Sequence, residues 1–488
     1  SHGLPGASRL AYAGWMTQCS QLELDEAGLR GLVAAAMDRI CGQLQGLASQ
    51  PASVTEGGAE LARSLRERLP RDPSPVDEVL ATLFERALPV SFNTAGPGYL
   101  AYIPGGGLLH AAVADLIADA INRYVGVWRA APGLVQLESN VIAWLCEILG
   151  LPPGSGGVLT SGGSLANFSA TVAARARLGE NFLDGTIYTS VQAHHSVAKA
   201  AQLAGFPAGN VRAAPVDAWF RVDVAAIAAR IAEDRAAGLR PCLIAASAGT
   251  TNTGAVDDLE ALAELAAREG VWLHVDAAYG GCFALTERGR AALRGLGRAD
   301  SITLDPHKGL FLPYGTGALL VRDPRALRRA HASQAEYLPP MQEDPDFVDF
   351  CELSPELSRD FRGLRLWLPL KLVGAAAFTA ALDEKLDLAQ HAHRVLCALP
   401  GVQIVAAPQL SLLAFRHVPE HLRADAAALD GHNARLLAAI NRRNRVYLTS
   451  TVLDGRFVLR ICVLSFRTHR DRVDAGLADI AAAIAELS

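Results

Sequence analysis

The stretch Ser301–Val321, SITLDPHKGLFLPYGTGALLV, reads as two apolar strands, SITLD and GALLV, flanking a turn that carries one lysine, Lys308, beside His307. Burial penalises an ammonium, so lysines are rarely found inside. A solvent-facing loop lysine is the plain reading. The alternative is a lysine held at a strand end for the chemistry of its amine, and the segments on either side bear on the choice.

Outward from this stretch, between about residues 130 and 330, short apolar runs alternate with Ala-rich helical patterns. The runs GVLTS (157–161), TIYTS (186–190), CLIAASAG (242–249) and VWLHVDAA (271–278) precede SITLD and GALLV. That alternation predicts α/β units with a mainly parallel sheet. In such sheets ligands bind outside the carboxyl ends of the strands, and each of these ends carries polar residues. GVLTS leads through Ser161-Gly162-Gly163-Ser164 into a helical pattern, where backbone N–H groups and a hydroxyl converge on an anion and the helix dipole helps. The spacing matches neither Gly-rich nucleotide motif, so a nucleotide is not indicated. TIYTS is followed by His194 and His195, one of them a flat partner for an aromatic ring or, more plainly, a surface histidine. Adjacent histidines are expected to diverge, and no H-x-x-x-H or cysteine accompanies them, so zinc is disfavoured. Thr250 and Thr251 follow CLIAASAG, with hydroxyls suited to a phosphate or a ring. VWLHVDAA reaches Asp276, then Ala277 and Ala278. A carboxylate there needs a cation such as a protonated pyridine nitrogen, unless it only caps the next segment.

The chain has 488 residues, half of them apolar, and a formal charge of −5 with no block of like charge. This is a globular composition, without a nucleic-acid or anionic-membrane footprint. No run of eighteen apolar residues occurs, and no leader or anchor is expected. The eight cysteines are scattered with no C-x-x-C pair, which suits reduced core thiols in a cytoplasmic enzyme and predicts no structural metal.

Towards the N-terminus, Leu29, Leu32, Val33, Ala36, Met37, Ile40 and Leu44 recur at helical spacing. A second helix is signalled by Ser74 as cap and Pro75 at its first position, leading into VDEVLATLFERAL. These form an expected helical segment over 1–90 that packs on another subunit. The α/β domain spans 91–370. A smaller α+β domain over 371–488 contains a long helix through 372–399, the strands LSLLAFR and FVLRICVL, and a last helix from Asp471.

The ordered series GGSLAN, AHHS, AGTTNTG, HVDAAYGG and LDPHKG resembles the group II pyridoxal-phosphate-dependent amino acid decarboxylases of the aromatic L-amino acid decarboxylase type. The resemblance runs from about Tyr99 to TSTVLDGRFVLRICVL. It implies a fold-type-I α/β architecture with a seven-stranded-type sheet, a homodimer, and pyridoxal 5'-phosphate as cofactor. It further implies that Lys308 carries the internal Schiff base, that Asp276 pairs with the pyridine nitrogen, and that His194 and Ala278 flank the ring. Gly163, Ser164 and Asp305 would hold the phosphate, helped by His307 and by Thr250 or Thr251; the family often has Asn at the Asp305 position. The opening question then has an answer: in the imine the lysine no longer bears a costly ammonium, and desolvation favours its nucleophilic free amine.

A mobile loop is implied at about 330–350, with Tyr337 in SQAEYLPPMQEDPD as the proton donor that gives an amine. A phenylalanine there goes with oxidative aldehyde formation in related enzymes. Tyr102, Ile103, Pro104, Tyr124, Trp128 and Phe350 are the candidate walls of the substrate pocket, which an aromatic amino acid fits best. Phe350-Cys351 departs from the tryptophan-handling bacterial enzymes, so Phe, Tyr, Dopa and Trp all stay open. The expected reaction is decarboxylation of an L-amino acid to the amine. A transaminase, a decarboxylase with oxidative deamination, a decarboxylase of a non-aromatic amino acid and a catalytically silent binding protein are the alternatives.

Overall fold

The structure, a computed structural model, describes residues 22–332, 341, 344 and 346–487. Two compact units are present: one is built from the chain up to Phe92 apart from Pro51–Ser53, and the other from Pro51–Ser53 and Asn93 onward. In the first, Asp25 caps the helix Glu26–Gly46 by accepting from Gly28 N, which satisfies a donor the first turn leaves open. The second predicted helix begins one residue later than its sequence signals, with Pro75 rather than Ser74 at the cap, and Val76–Ala81 runs on as a π-helical turn over Thr82–Ala87. A short helix, Gly58–Ser64, lies between them.

The second unit is an α/β structure around a seven-stranded sheet. Its strands are β1 (Gly156–Thr160), β2 (Gly185–Ser190), β3 (Val211–Ala214), β4 (Arg240–Ser247), β5 (Trp272–Asp276), β6 (Ser301–Leu304) and β7 (Gly317–Val321), in the order β1-β7-β6-β5-β4-β2-β3. Only β7 runs antiparallel to its neighbours. The carboxyl ends of β1, β2, β4, β5 and β6 therefore share one edge of the sheet. All six predicted strands are present; β3, the edge strand, has no counterpart among them because VRAA is short, half-polar and only partly buried. The central strands are mostly apolar because helices cover both faces of a parallel sheet, with His274 and Thr303 among the buried polar exceptions.

A second sheet, fully antiparallel, contains β8 (Val402–Ala406), β9 (Leu412–His417), β10 (Thr449–Leu453) and β11 (Arg456–Cys462) in the order β10-β11-β9-β8. Its own apolar cluster includes Leu413, Phe415, Leu436, Ile440, Leu459 and Ile480. The helix Gly363–Cys397 passes through residue 370 without a linker and serves both cores: Leu364, Leu366, Phe378 and Leu382 pack in the large one, Leu388, Ala392 and Leu396 in the small one. It is long and apolar enough to cross a membrane by length and composition alone. Gly374, at φ 74° and ψ 157°, breaks it into two pieces, and the fully buried Lys385 sits in the second. A broken helix with a buried cation reads as a core element of the fold.

Candidate active site

The polar ends of the parallel strands surround a cavity of about 290 Å³. It is lined by Gly163, Ser164, His194, Thr250, Thr251, Asp276, Ala278, Asp305, His307 and Lys308, so all ten residues predicted to hold a cofactor meet in one place. Each arrives from a strand end: Gly163 and Ser164 open the helix Gly163–Ala176 after β1, His194 follows β2, the threonines follow β4, Asp276 ends β5, and Asp305–Lys308 follow β6.

Asp276 has both carboxylate oxygens engaged. Oδ1 accepts from Ala278 N at 3.1 Å and Oδ2 from Asn167 Nδ2 at 3.0 Å. Lys308 Nζ lies 3.0 Å from Asp305 Oδ2, with the lysine side chain 23% exposed, so its amine is ion-paired with a carboxylate. His307 donates from Nδ1 to the carbonyl of Thr316 at 2.7 Å. The hydroxyl of Thr250 is 2.7 Å from that of Thr253 and accepts from Ala255 N, so it holds its own turn together. The Thr251 carbonyl is held by Arg460, which also donates to the Asn252 carbonyl and to Thr449 Oγ1. His194 and His195 do not diverge: their rings are 4.2 Å apart, centroid to centroid. Among the described residues no group of three His, Cys, Asp or Glu side chains is placed to hold a metal. Burial lowers the His194 pKa, with His195 and Lys308 acting in the same direction against Asp276. His194 therefore enters the neutral range with its uncharged ring.

The residues present fit a phosphorylated pyridine. A Cβ at Gly163 would lie 3.0 Å from Asp305 Oδ2 and 3.3 Å from that of Ala278, so the start of the helix is bare backbone where an anion would approach. Asp305 Oδ1 is buried with no hydrogen-bond partner among the described residues, an acceptor open to a ligand's N–H or O–H but not to an anionic oxygen. Asp276, in the same lining, is the acid that a ring nitrogen requires.

The six predicted substrate walls do not line this cavity. The segment carrying Tyr102, Ile103 and Pro104 is nevertheless adjacent, since a Cβ at Gly105 would stand 2.0 Å from the His307 carbonyl; only glycine allows that approach. Tyr102 is half exposed and has φ 51°, while Ile103 and Pro104 are buried. Trp128 stacks on Phe347 at 4.4 Å and donates from its backbone to Asp349. Tyr124 donates its hydroxyl to the Leu357 carbonyl, and buried Phe350 lies under the Arg359 guanidinium. Tyr337 and most of its loop lie outside the described residues.

Sequence reasoning missed the residues behind Asp276. Asn167, Ser196, His274, Ser301 and Thr303 are buried and bonded to one another. The available signal was a polar residue inside an apolar run: His274 within VWLHVD and Thr303 within SITL. Burial lowers the His274 pKa from 6.5 to about 4. The unfolded chain therefore takes up this proton first as the pH falls, and stability is lost between about 6.5 and about 4. The loss is of the order of 3 kcal/mol at the acid end, since one pKa unit corresponds to about 1.4 kcal/mol. Thermal denaturation midpoints between pH 7 and 5 are expected to fall less steeply in His274→Asn than in the parent.

Comparison with known proteins places this geometry. Residues 59–418 match the family model described as the pyridoxal-dependent decarboxylase conserved domain. An aromatic-L-amino-acid decarboxylase of Bacillus atrophaeus is 36% identical over 93% of this chain and 94% of its own. An L-2,4-diaminobutyrate decarboxylase of Rhizobium meliloti (strain 1021) is 32% identical over 91% and 89%. The crystal structure of Oryza sativa TDC with PLP and tryptamine superposes with a TM-score of 0.90 at 29% identity, covering 95% of this chain and 99% of that one.

Proposed function

The chain belongs to the pyridoxal-dependent decarboxylase family, and from that premise we propose that it converts an aromatic L-amino acid into its amine and carbon dioxide. The broader statement, a pyridoxal-phosphate-dependent amino acid carboxy-lyase, follows from the family itself. The bound cofactor supplies an electron sink for the pair left behind when the carboxyl group departs. Lys308 would anchor it covalently, Asp276 would serve the ring nitrogen, and His194 and Ala278 would flank the ring. Gly163 and Ser164 would receive the phosphate with His307 and one of Thr250 and Thr251, of which Thr250 is bonded within its own turn; Asp305, itself an anion, is placed to pair with Lys308. The meeting of these strand-end residues around one cavity carries the reading.

The 36% identity to an aromatic-L-amino-acid decarboxylase favours an aromatic side chain. The Rhizobium relative favours the second reading, a short cationic side chain. A screen of the common amino acids with Dopa and 2,4-diaminobutyrate for amine product separates them. Phe, Tyr, Dopa or Trp is expected to give the highest kcat/KM, and a clear preference for diaminobutyrate would replace the aromatic reading.

Tyr337 is the proton donor at Cα in this reading. Tyr337→Phe is expected to shift product from amine to aldehyde, with one dioxygen and one water consumed and carbon dioxide, ammonia and hydrogen peroxide released per turnover. Peroxide and ammonia assays on parent and variant check this.

The active form in this reading is a homodimer. The helix Leu109–Ile121 buries Ala111, Ala114 and Ala118 but exposes Leu109, Val113, Leu116, Ile117 and Ile121, each more than 40% accessible. Five apolar side chains on one helix form a patch of the kind that meets its symmetry mate. Light scattering is expected to give about twice the chain mass of 51.5 kDa.

A further inference from the structure

Behind the cavity runs a buried series of hydrogen bonds whose direction is set by its ends. Trp272 Nε1, which only donates, lies 2.7 Å from Ser301 Oγ, and that hydroxyl lies 2.8 Å from His274 Nδ1. His274 Nε2 stands 3.0 Å from Asn167 Oδ1, an oxygen that only accepts, so the ring proton is on Nε2 and Ser301 donates to Nδ1. Thr303 donates to the same Asn167 oxygen at 2.6 Å. The amide is thereby oriented, with Nδ2 turned to the other side, where it donates to Asp276 Oδ2 at 3.0 Å and to Ser196 Oγ at 2.8 Å. The reversed amide would set its oxygen against the Asp276 carboxylate, which offers no proton. Ser196 Oγ, having accepted from Asn167, lies 2.7 Å from His194 Nδ1, and the Ser196 backbone N–H also points at that nitrogen from 3.3 Å. An N–H cannot accept, so Nδ1 is an acceptor and neutral His194 carries its proton on Nε2.

We propose that Asn167 is a positioning residue for the decarboxylation, its amide holding the Asp276 carboxylate and, through Ser196, making His194 an Nε2–H donor to whatever occupies the cavity. The inference rests on the roles given above to Asp276 and His194. A single side chain thus sets two groups that contact the cofactor, and its own orientation comes from His274 and Thr303 on two adjacent strands. Asn167, Ser196, His274, Ser301 and Thr303 are all at most 3% exposed, so water does not substitute for any of these contacts.

Two variants test it, each measured for cofactor affinity of the apoenzyme as well as for kcat and KM. Asn167→Asp keeps the size but replaces the donor beside Asp276 with an acceptor; the pyridoxal phosphate Kd is expected to rise at least about tenfold and kcat to fall by more, in line with a lost hydrogen bond to a charged group. Ser196→Ala removes the hydroxyl that links Asn167 to His194 and leaves the Ser196 backbone N–H facing Nδ1; kcat is expected to fall at least about fivefold with KM and cofactor Kd within about threefold of the parent. A residue that merely fills space would lower the melting temperature and leave these ratios unmoved. A folded Asn167→Asp with parental Kd and kcat, or a Ser196→Ala with parental kcat, overturns the proposal. Should Asn167→Asp fail to fold, the Ser196→Ala kcat decides. Asp276→Ala measured alongside separates the two levels: if it too binds cofactor and turns over like the parent, the assignment of the site has failed rather than the role of Asn167.

Discussion

Lys308→Ala is expected to lower kcat at least about a thousandfold and to abolish cofactor retention after borohydride treatment, because it removes the amine that forms the covalent link. Among the described residues Lys308 is the only lysine lining the cavity, so no described neighbouring amine stands in for it. The variant also strips Asp305 of its ion-pair partner at 3.0 Å, in a side chain only 4% exposed. Removing one partner of a buried ion pair costs at most about 3–5 kcal/mol, and here His307 Nε2 remains 3.7 Å from Asp305 Oδ2. Set against a typical total of about 5–15 kcal/mol, this softens the protein without unfolding it. The activity loss is therefore chemical, and a melting temperature lowered by only a few degrees beside a thousandfold loss of turnover checks that separation. A variant that retained activity within tenfold would remove Lys308 from the mechanism.

Asp276→Ala is expected to cost at least about a hundredfold in kcat and to weaken pyridoxal phosphate binding, since a carboxylate beside the ring nitrogen favours its protonated, electron-accepting form. Asp276→Asn is the informative companion. Asp276 accepts at both oxygens, from Ala278 N and from Asn167 Nδ2, so either orientation of an introduced amide sets an NH2 against one of these donors. The asparagine variant is thus expected to be no better than the alanine one despite its matching shape. Cofactor titration of the apoenzymes and steady-state kinetics give the comparison. An asparagine variant close to the parent in both would show that shape, not charge, is what Asp276 contributes.

The candidate site was legible in sequence because its residues fall where local pattern changes. Each follows an apolar strand of four to eight residues, and strand ends in a parallel sheet are where backbone pairing stops and side chains are free to meet a ligand. The same reasoning worked less well where a residue's surroundings come from elsewhere in the chain. The substrate walls were chosen for being aromatic near an adjacent segment, yet Trp128 stacks on Phe347 and Phe350 lies under Arg359, contacts made over more than two hundred residues in the first case. Nor does composition alone show that the long C-terminal helix begins at Gly363 and breaks at Gly374.

By itself the sequence determined the α/β rhythm, the ordered polar strand ends, and with them Lys308, Asp276 and His194, since alternation and motif spacing are local properties that survive any rearrangement of the rest. Tertiary structure alone decided that β7 turns antiparallel between β1 and β6 and that Asn167 joins His274, Asp276 and Thr303. The reason is geometric. A hydrogen bond of about 3 Å between side chains more than a hundred residues apart depends on register and packing across elements, and no stretch of sequence encodes those without its partners.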